Sequence, residues 1–73
     1  MLERIIDILS KYTEYDKSKM NADTSLVVDL GLTSLEVIKI ILDLEEEFEV
    51  EFPEDDLENI TTIGDIEAFI QNL

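Results

Sequence analysis

The sequence predicts an all-α fold: a small four-helix bundle, with three longer helices, one short helix, and a long loop between helices one and two. Three observations carry this prediction. Apolar residues recur at intervals of three and four near the N-terminus, through residues 35–48 and again through 63–73. Residues that favour helix starts stand just ahead of the second and last of these runs. Val50 and Phe52 alternate with acids, but so short a stretch with no partner strand does not make a sheet. The 73 residues form one domain, residues 1–73, too small for a deep cleft between two lobes. No internal repeat or low-complexity linker divides it.

In the first helix, Leu2, Ile5, Ile6 and Leu9 share a face, with Glu3, Arg4 and Asp7 on the other; its end is expected between Ser10 and Tyr12. From Thr13 to Thr24 the chain is polar, with only Tyr15, Met20 and Ala22 apolar. It reads as a loop that Met20 pins to the core. Leu26, Val27, Val28 and Leu30 are expected to return the chain inward before Gly31.

The second helix is expected over residues 34–48. With residues about 100° apart, Glu36, Lys39, Asp43, Glu46 and Glu47 fall in a narrow polar arc. Val37, Ile38, Ile40, Ile41, Leu42, Leu44 and Phe48 fill most of the remaining circle, interrupted by Glu45. An apolar arc this broad exceeds the stripe a surface helix needs. Leu35 and Leu42, beside the polar arc, are expected to be partly exposed and covered by a loop or a partner. Pro53 can open a short helix, since its missing N–H is not needed there, and the acids of "EDDLENI" suit its positive end. Thr62, with Asp65 three residues on, resembles a capping pair for a last helix. The inward stripe of that helix is Ile63, Ile66, Phe69, Ile70 and Leu73.

Composition narrows the function. At 45% hydrophobic, the chain is too apolar for a disordered acidic tail. Five basic residues against 19 acidic ones give a net charge of −14. Such a surface repels nucleic acid and anionic lipid and complements a basic protein partner. With no cysteine there is no disulfide, thiolate nucleophile or cysteine metal site; with no histidine, the usual near-neutral general base is missing. A calcium-binding loop does not fit the spacing, because the twelfth position counted from Asp29 is Ile40 rather than Glu. No metal site is expected. No run approaches a membrane span, and the N-terminus lacks the marks of a secretory signal. The chain is expected to be a cytoplasmic monomer with no membrane insertion.

One hydroxyl stands out. In "DLGLTSLEVIKI", Ser34 sits where a glycine-containing turn hands over to the second helix. Ser34 or Thr33 could cap that helix. A catalytic serine is a poor alternative: no histidine can take its proton, and Lys39 is the only base candidate nearby. The third option is covalent modification, because a phosphate ester at a helix start meets unpaired N–H groups and the positive end of the dipole. A reactive thiol would then arrive on a prosthetic group.

The run "DTSLVVDLGLTSLEVIKIILDLEEEFEVEFPEDDLENITTIGDIEAFI" resembles the acyl carrier protein family. That family's signature is an acid-x-Gly, two residues, then Ser-Leu at the head of the second helix; Asp29, Gly31, Ser34 and Leu35 match it. "LEEEFEVEFPEDDLENITT" is similar to the family's end of helix two, following loop and short third helix. The resemblance implies no catalysis by the chain itself. It implies that Ser34 carries 4′-phosphopantetheine, installed from coenzyme A by a carrier synthase (a phosphopantetheinyl transferase). The arm would hold acyl groups as thioesters and present them to fatty-acid, polyketide or related enzymes. Its partners would be an acyl-loading ligase or acyltransferase and a ketosynthase or other acyl-processing enzyme with a basic docking patch. By position, Glu36, Glu45 and Glu46 keep the family's acidic partner contacts, and Leu35 and Leu42 its apolar ones. Thr33 and Lys39 belong to the same surface but depart from the family, which commonly has Asp and an acid there. Leu26, Ile41, Phe52, Leu57 and Ile60 would line a shelter for the acyl chain, small or closed in the unloaded protein. Two other readings stay open: an aminoacyl or peptidyl carrier loaded by a dedicated adenylating ligase, and an unmodified acidic adaptor.

Overall fold

The computed structural model describes residues 1–73 and places four α-helices: α1 (Leu2–Leu9), α2 (Ser34–Phe48), α3 (Glu54–Leu57) and α4 (Ile63–Gln71). A single 3-10 turn, Lys17–Lys19, lies within the loop joining α1 to α2. The helical apolar spacing places Ile5, Leu9, Ile40, Leu44, Ile63 and Ile66 inside, where α1 packs against both α2 and α4. The four-helix expectation holds. Within it, α1 stops at Leu9 because Lys11 and Tyr12 donate to Ile8 and Leu9, three residues back, which tightens and ends the helix.

The loop is held rather than free. Met20 is buried, as its position in the polar stretch predicts. The Asp16 carboxylate accepts from Ser18 N (2.9 Å) and Ser18 Oγ (2.8 Å), capping the 3-10 turn. Those bonds hold its pKa below the ordinary 3.8. Farther on, Leu26 N donates to Thr61 O (3.0 Å), Ile63 N to Thr24 O (3.0 Å) and Gly64 N to Ala22 O (2.8 Å). This ladder ties the loop to the start of α4. It is one isolated bridge, Ser25 to Thr62, and not a sheet.

Two expectations are corrected. Val27 and Val28 are 61% and 84% exposed and do not return to the core. Asp29 N and Leu30 N both donate to Ser25 O, and Ser25 N donates to the Asp29 carboxylate at 2.7 Å. The chain therefore turns tightly over residues 25–31, sending Leu26, Leu30 and Leu32 inward and the two valines outward. Gly31 closes that turn at φ +68°, a left-handed conformation costly for any residue with a Cβ. Leu73 is also exposed, because α4 ends at Gln71 and Asn72 N folds back onto Ala68 O and Phe69 O.

α4 opens with a complete capping box: Asp65 N donates to Thr62 Oγ1 (3.2 Å), and the Asp65 carboxylate accepts from Thr61 N (2.8 Å) and Thr62 N (3.0 Å). Those backbone bonds hold the Asp65 pKa below 3.8. A depressed carboxylate pKa contributes stability that is complete above the unfolded value and lost as pH falls through the folded one. Relative to the parent, an Asp65→Asn variant should therefore lose stability most near neutral pH. Denaturant midpoints measured along an acid series should show that deficit shrinking below about pH 4. Comparing the two proteins at each pH removes the general relief of carboxylate repulsion.

Candidate functional site

The backbone turns into α2 at Thr33, which is extended (φ −83°, ψ 166°) and serves as the cap. Glu36 N donates to Thr33 Oγ1 (3.2 Å), and Thr33 N donates to the Glu36 carboxylate (2.9 Å). Of the two candidate caps, Thr33 takes the role. Ser34 is left as the first helical residue, exposed, with its hydroxyl bonded to nothing in the chain. The N–H groups of Ser34 and Leu35 also donate to no protein acceptor.

Beside Ser34 runs an apolar groove of about 380 Å³, lined by Leu26, Val27, Val37, Ile38, Leu57 and Ile60, with Glu58 and Thr61 at its edge. Three of the five expected lining residues, Leu26, Leu57 and Ile60, are there with Ser34. Ile41 and Phe52 are not. Both are buried in the main core, where Phe52 stacks on Phe69 at 4.4 Å between ring centroids. The hollow is an open groove, not the small or closed cavity expected from the bulk of Phe52 and Leu57.

The side chains named for partner contact divide by what they already touch. Thr33, Leu35, Lys39, Leu42 and Glu46 are exposed. Glu36 is half-buried in the cap, and Glu45 is half-buried with its carboxylate accepting from Phe52 N at 2.7 Å. Glu45 therefore fixes the loop after α2. Leu35 and Leu42 are 61% and 57% exposed, so no loop covers them. Ile38, at 49%, joins them, which the broad apolar arc did not single out. Its position three residues after Leu35 and four before Leu42 is the signal that could have found it. Elsewhere on α2, Asp43 accepts from the Tyr12 hydroxyl, a bond that pushes the Tyr12 pKa up. Glu47 pairs with Arg4, whose guanidinium lies 4.5 Å from the Phe48 ring centroid.

This geometry suits a phosphodiester. A free hydroxyl leads a fifteen-residue helix, two backbone N–H groups beside it lack partners, and the dipole is positive there. Of the nearby carboxylates, Glu36 is held on Thr33 N–H, and Glu58 lies on the same groove.

Comparison with known proteins gives the family. A family model described as "Phosphopantetheine attachment site" matches residues 3–70. The chain is 38% identical to an acyl carrier protein of Phenylobacterium zucineum, covering 97% of this chain and 90% of that one. It is 31% identical to an acyl carrier protein of Clostridium acetobutylicum, over 97% and 92% of the two chains. Its fold matches a solved acyl carrier protein from Enterococcus faecalis with a TM-score of 0.85 and 27% identity, over 97% of this chain and 90% of that one. The acidic-adaptor reading is not favoured. No helix is long and apolar enough to cross a membrane. The chain belongs to the acyl carrier protein family, whose members carry 4′-phosphopantetheine and are carriers rather than enzymes.

Proposed function

We propose that Ser34 is the residue that bears 4′-phosphopantetheine, and that the groove beside it receives the near end of whatever the arm carries. The free Ser34 hydroxyl at the head of α2, opening onto an apolar groove, is the observation that supports this. When attached, the group supplies a thiol that holds acyl groups as thioesters. The chain's own part is positional. Thr33 and Glu36 lock the first turn, so Ser34 projects at a fixed point. The unpaired N–H groups of Ser34 and Leu35 favour the phosphate charge. Leu26, Val37, Ile38, Leu57 and Ile60 offer apolar surface that removes a hydrocarbon chain from water.

With no histidine in the chain, the proton is assigned to the enzyme that installs the arm from coenzyme A, a carrier synthase. Loading would fall to an acyl-specific ligase or acyltransferase, and use to a ketosynthase or similar enzyme. The reading includes a cytoplasmic, monomeric carrier. The test is intact-protein mass spectrometry after incubation with a broad-specificity phosphopantetheinyl transferase and coenzyme A. The parent should gain one phosphopantetheinyl mass and a Ser34→Ala variant none. An unmodified parent, or a modified Ser34→Ala protein, would reject the proposal.

A further inference from the structure

Of the five carboxylates on α2, four are engaged within the chain: Glu36 with Thr33 N, Asp43 with the Tyr12 hydroxyl, Glu45 with Phe52 N and Glu47 with Arg4. Glu46 alone makes no hydrogen bond or ion pair; Lys11 borders the same hollow without pairing to it. Lys39 is the only cation on the helix, and it too is unpaired. Glu36 and Asp43, three residues before it and four after, are where a helical ion pair would form. Both carboxylates are held by other partners.

Leu35, Lys39, Leu42 and Glu46 follow one another at intervals of four, three and four, so they form one stripe along the helix. All four are exposed. The unengaged charged side chains of α2 are thus one cation and one anion, about 10 Å apart along the axis, with two leucines interleaved and the exposed Ile38 beside them. The fixed carboxylates still contribute to the overall acidic field, which steers a cationic partner from a distance. At contact, however, Lys39 would meet like charge on a wholly basic patch.

We infer that α2 presents a bipolar docking face. Lys39 takes a carboxylate of the partner enzyme, Glu46 takes a cation, Leu42 seats on an apolar surface between them, and Leu35 on another beyond Lys39. This rests on the carrier reading and adds to it the chemistry of the partner's surface. The enzyme that fits is one with an acid set into an otherwise basic dock, and this makes Lys39 the residue that selects it.

The test compares four proteins as substrates of the host's own phosphopantetheinyl transferase: the parent, Lys39→Glu, Glu46→Lys and the double exchange. The exchange keeps net charge constant while reversing its order along the helix. Each single variant should lower kcat/KM by about tenfold through KM, because a matched pair becomes a repulsive one. The double exchange should be no better than either. A faster Lys39→Glu protein, a double exchange equal to the parent, or single variants within twofold of the parent would each overturn the inference while leaving the carrier reading intact. A parent that accepts no phosphopantetheine would overturn the carrier reading, and this inference with it.

Discussion

Truncating Leu44 to alanine should cost about 3–4 kcal/mol and leave much of the protein unfolded at mild denaturant concentrations. Leu44 is completely enclosed, on the face of α2 that meets the rest of the bundle. Removing its branched end loses both the transfer free energy of three carbons and the contacts of the cavity left behind. A domain of 73 residues holds only roughly 4–11 kcal/mol in total, so this single change removes a large share. Leu42, two positions earlier and 57% exposed, is the matched control; its alanine variant should shift stability by no more than about 0.5 kcal/mol. Urea titrations followed by circular dichroism separate the two. Equal midpoints would mean that the inward and outward faces of α2 have been misassigned.

The second large effect is expected at Gly64. A Cβ there would lie 2.8 Å from the Ala22 carbonyl oxygen and 3.1 Å from the Ala22 Cβ. The oxygen is backbone, already bonded to Gly64 N at 2.8 Å, and cannot swing aside as a side-chain tip would. Alanine is favoured over glycine in a helix by up to about 1 kcal/mol. Forcing the loop away should cost more, about 1–3 kcal/mol together with the strained hydrogen bond. Gly64→Ala is therefore expected to be a net loss. Its effect should spread to function, because the same ladder carries Leu26 and Val27 to the groove beside Ser34. Amide hydrogen exchange should quicken at Leu26 and Ile63 in the variant. A stabilised variant with unchanged exchange would show that the loop is not held by this contact.

What could be read in advance follows the range of the interactions. The bounds of α2 were legible because its signals are local: a cap candidate at Thr33 or Ser34 and a periodic apolar run that ends at Phe48. The capping box of Thr33 and Glu36 was equally local, a T-x-x-E pattern, and shows that Glu36 has a structural duty beside any partner contact. Other features depend on residues far apart in the chain. Tyr12 reaches Asp43 across 31 positions and Arg4 reaches Glu47 across 43, so neither engagement is visible in a helical wheel. Glu45 on Phe52 N likewise depends on how the chain leaves α2. The outward turn of Val27 and Val28 is set by hydrogen bonds to Ser25, which composition does not encode. Of the lining residues, Leu26, Leu57 and Ile60 were legible. Ile41 and Phe52 were not, because burial looks the same from sequence whether a side chain faces a groove or the core.

Fragmentation mass spectrometry of the transferase-treated protein reports which side chain carries the phosphate. One phosphopantetheinyl group is expected, located at Ser34, with Thr33, whose hydroxyl caps the helix by accepting from Glu36 N, left unmodified. A group found on Thr33 or any other hydroxyl, or none at all on a folded protein, would contradict this.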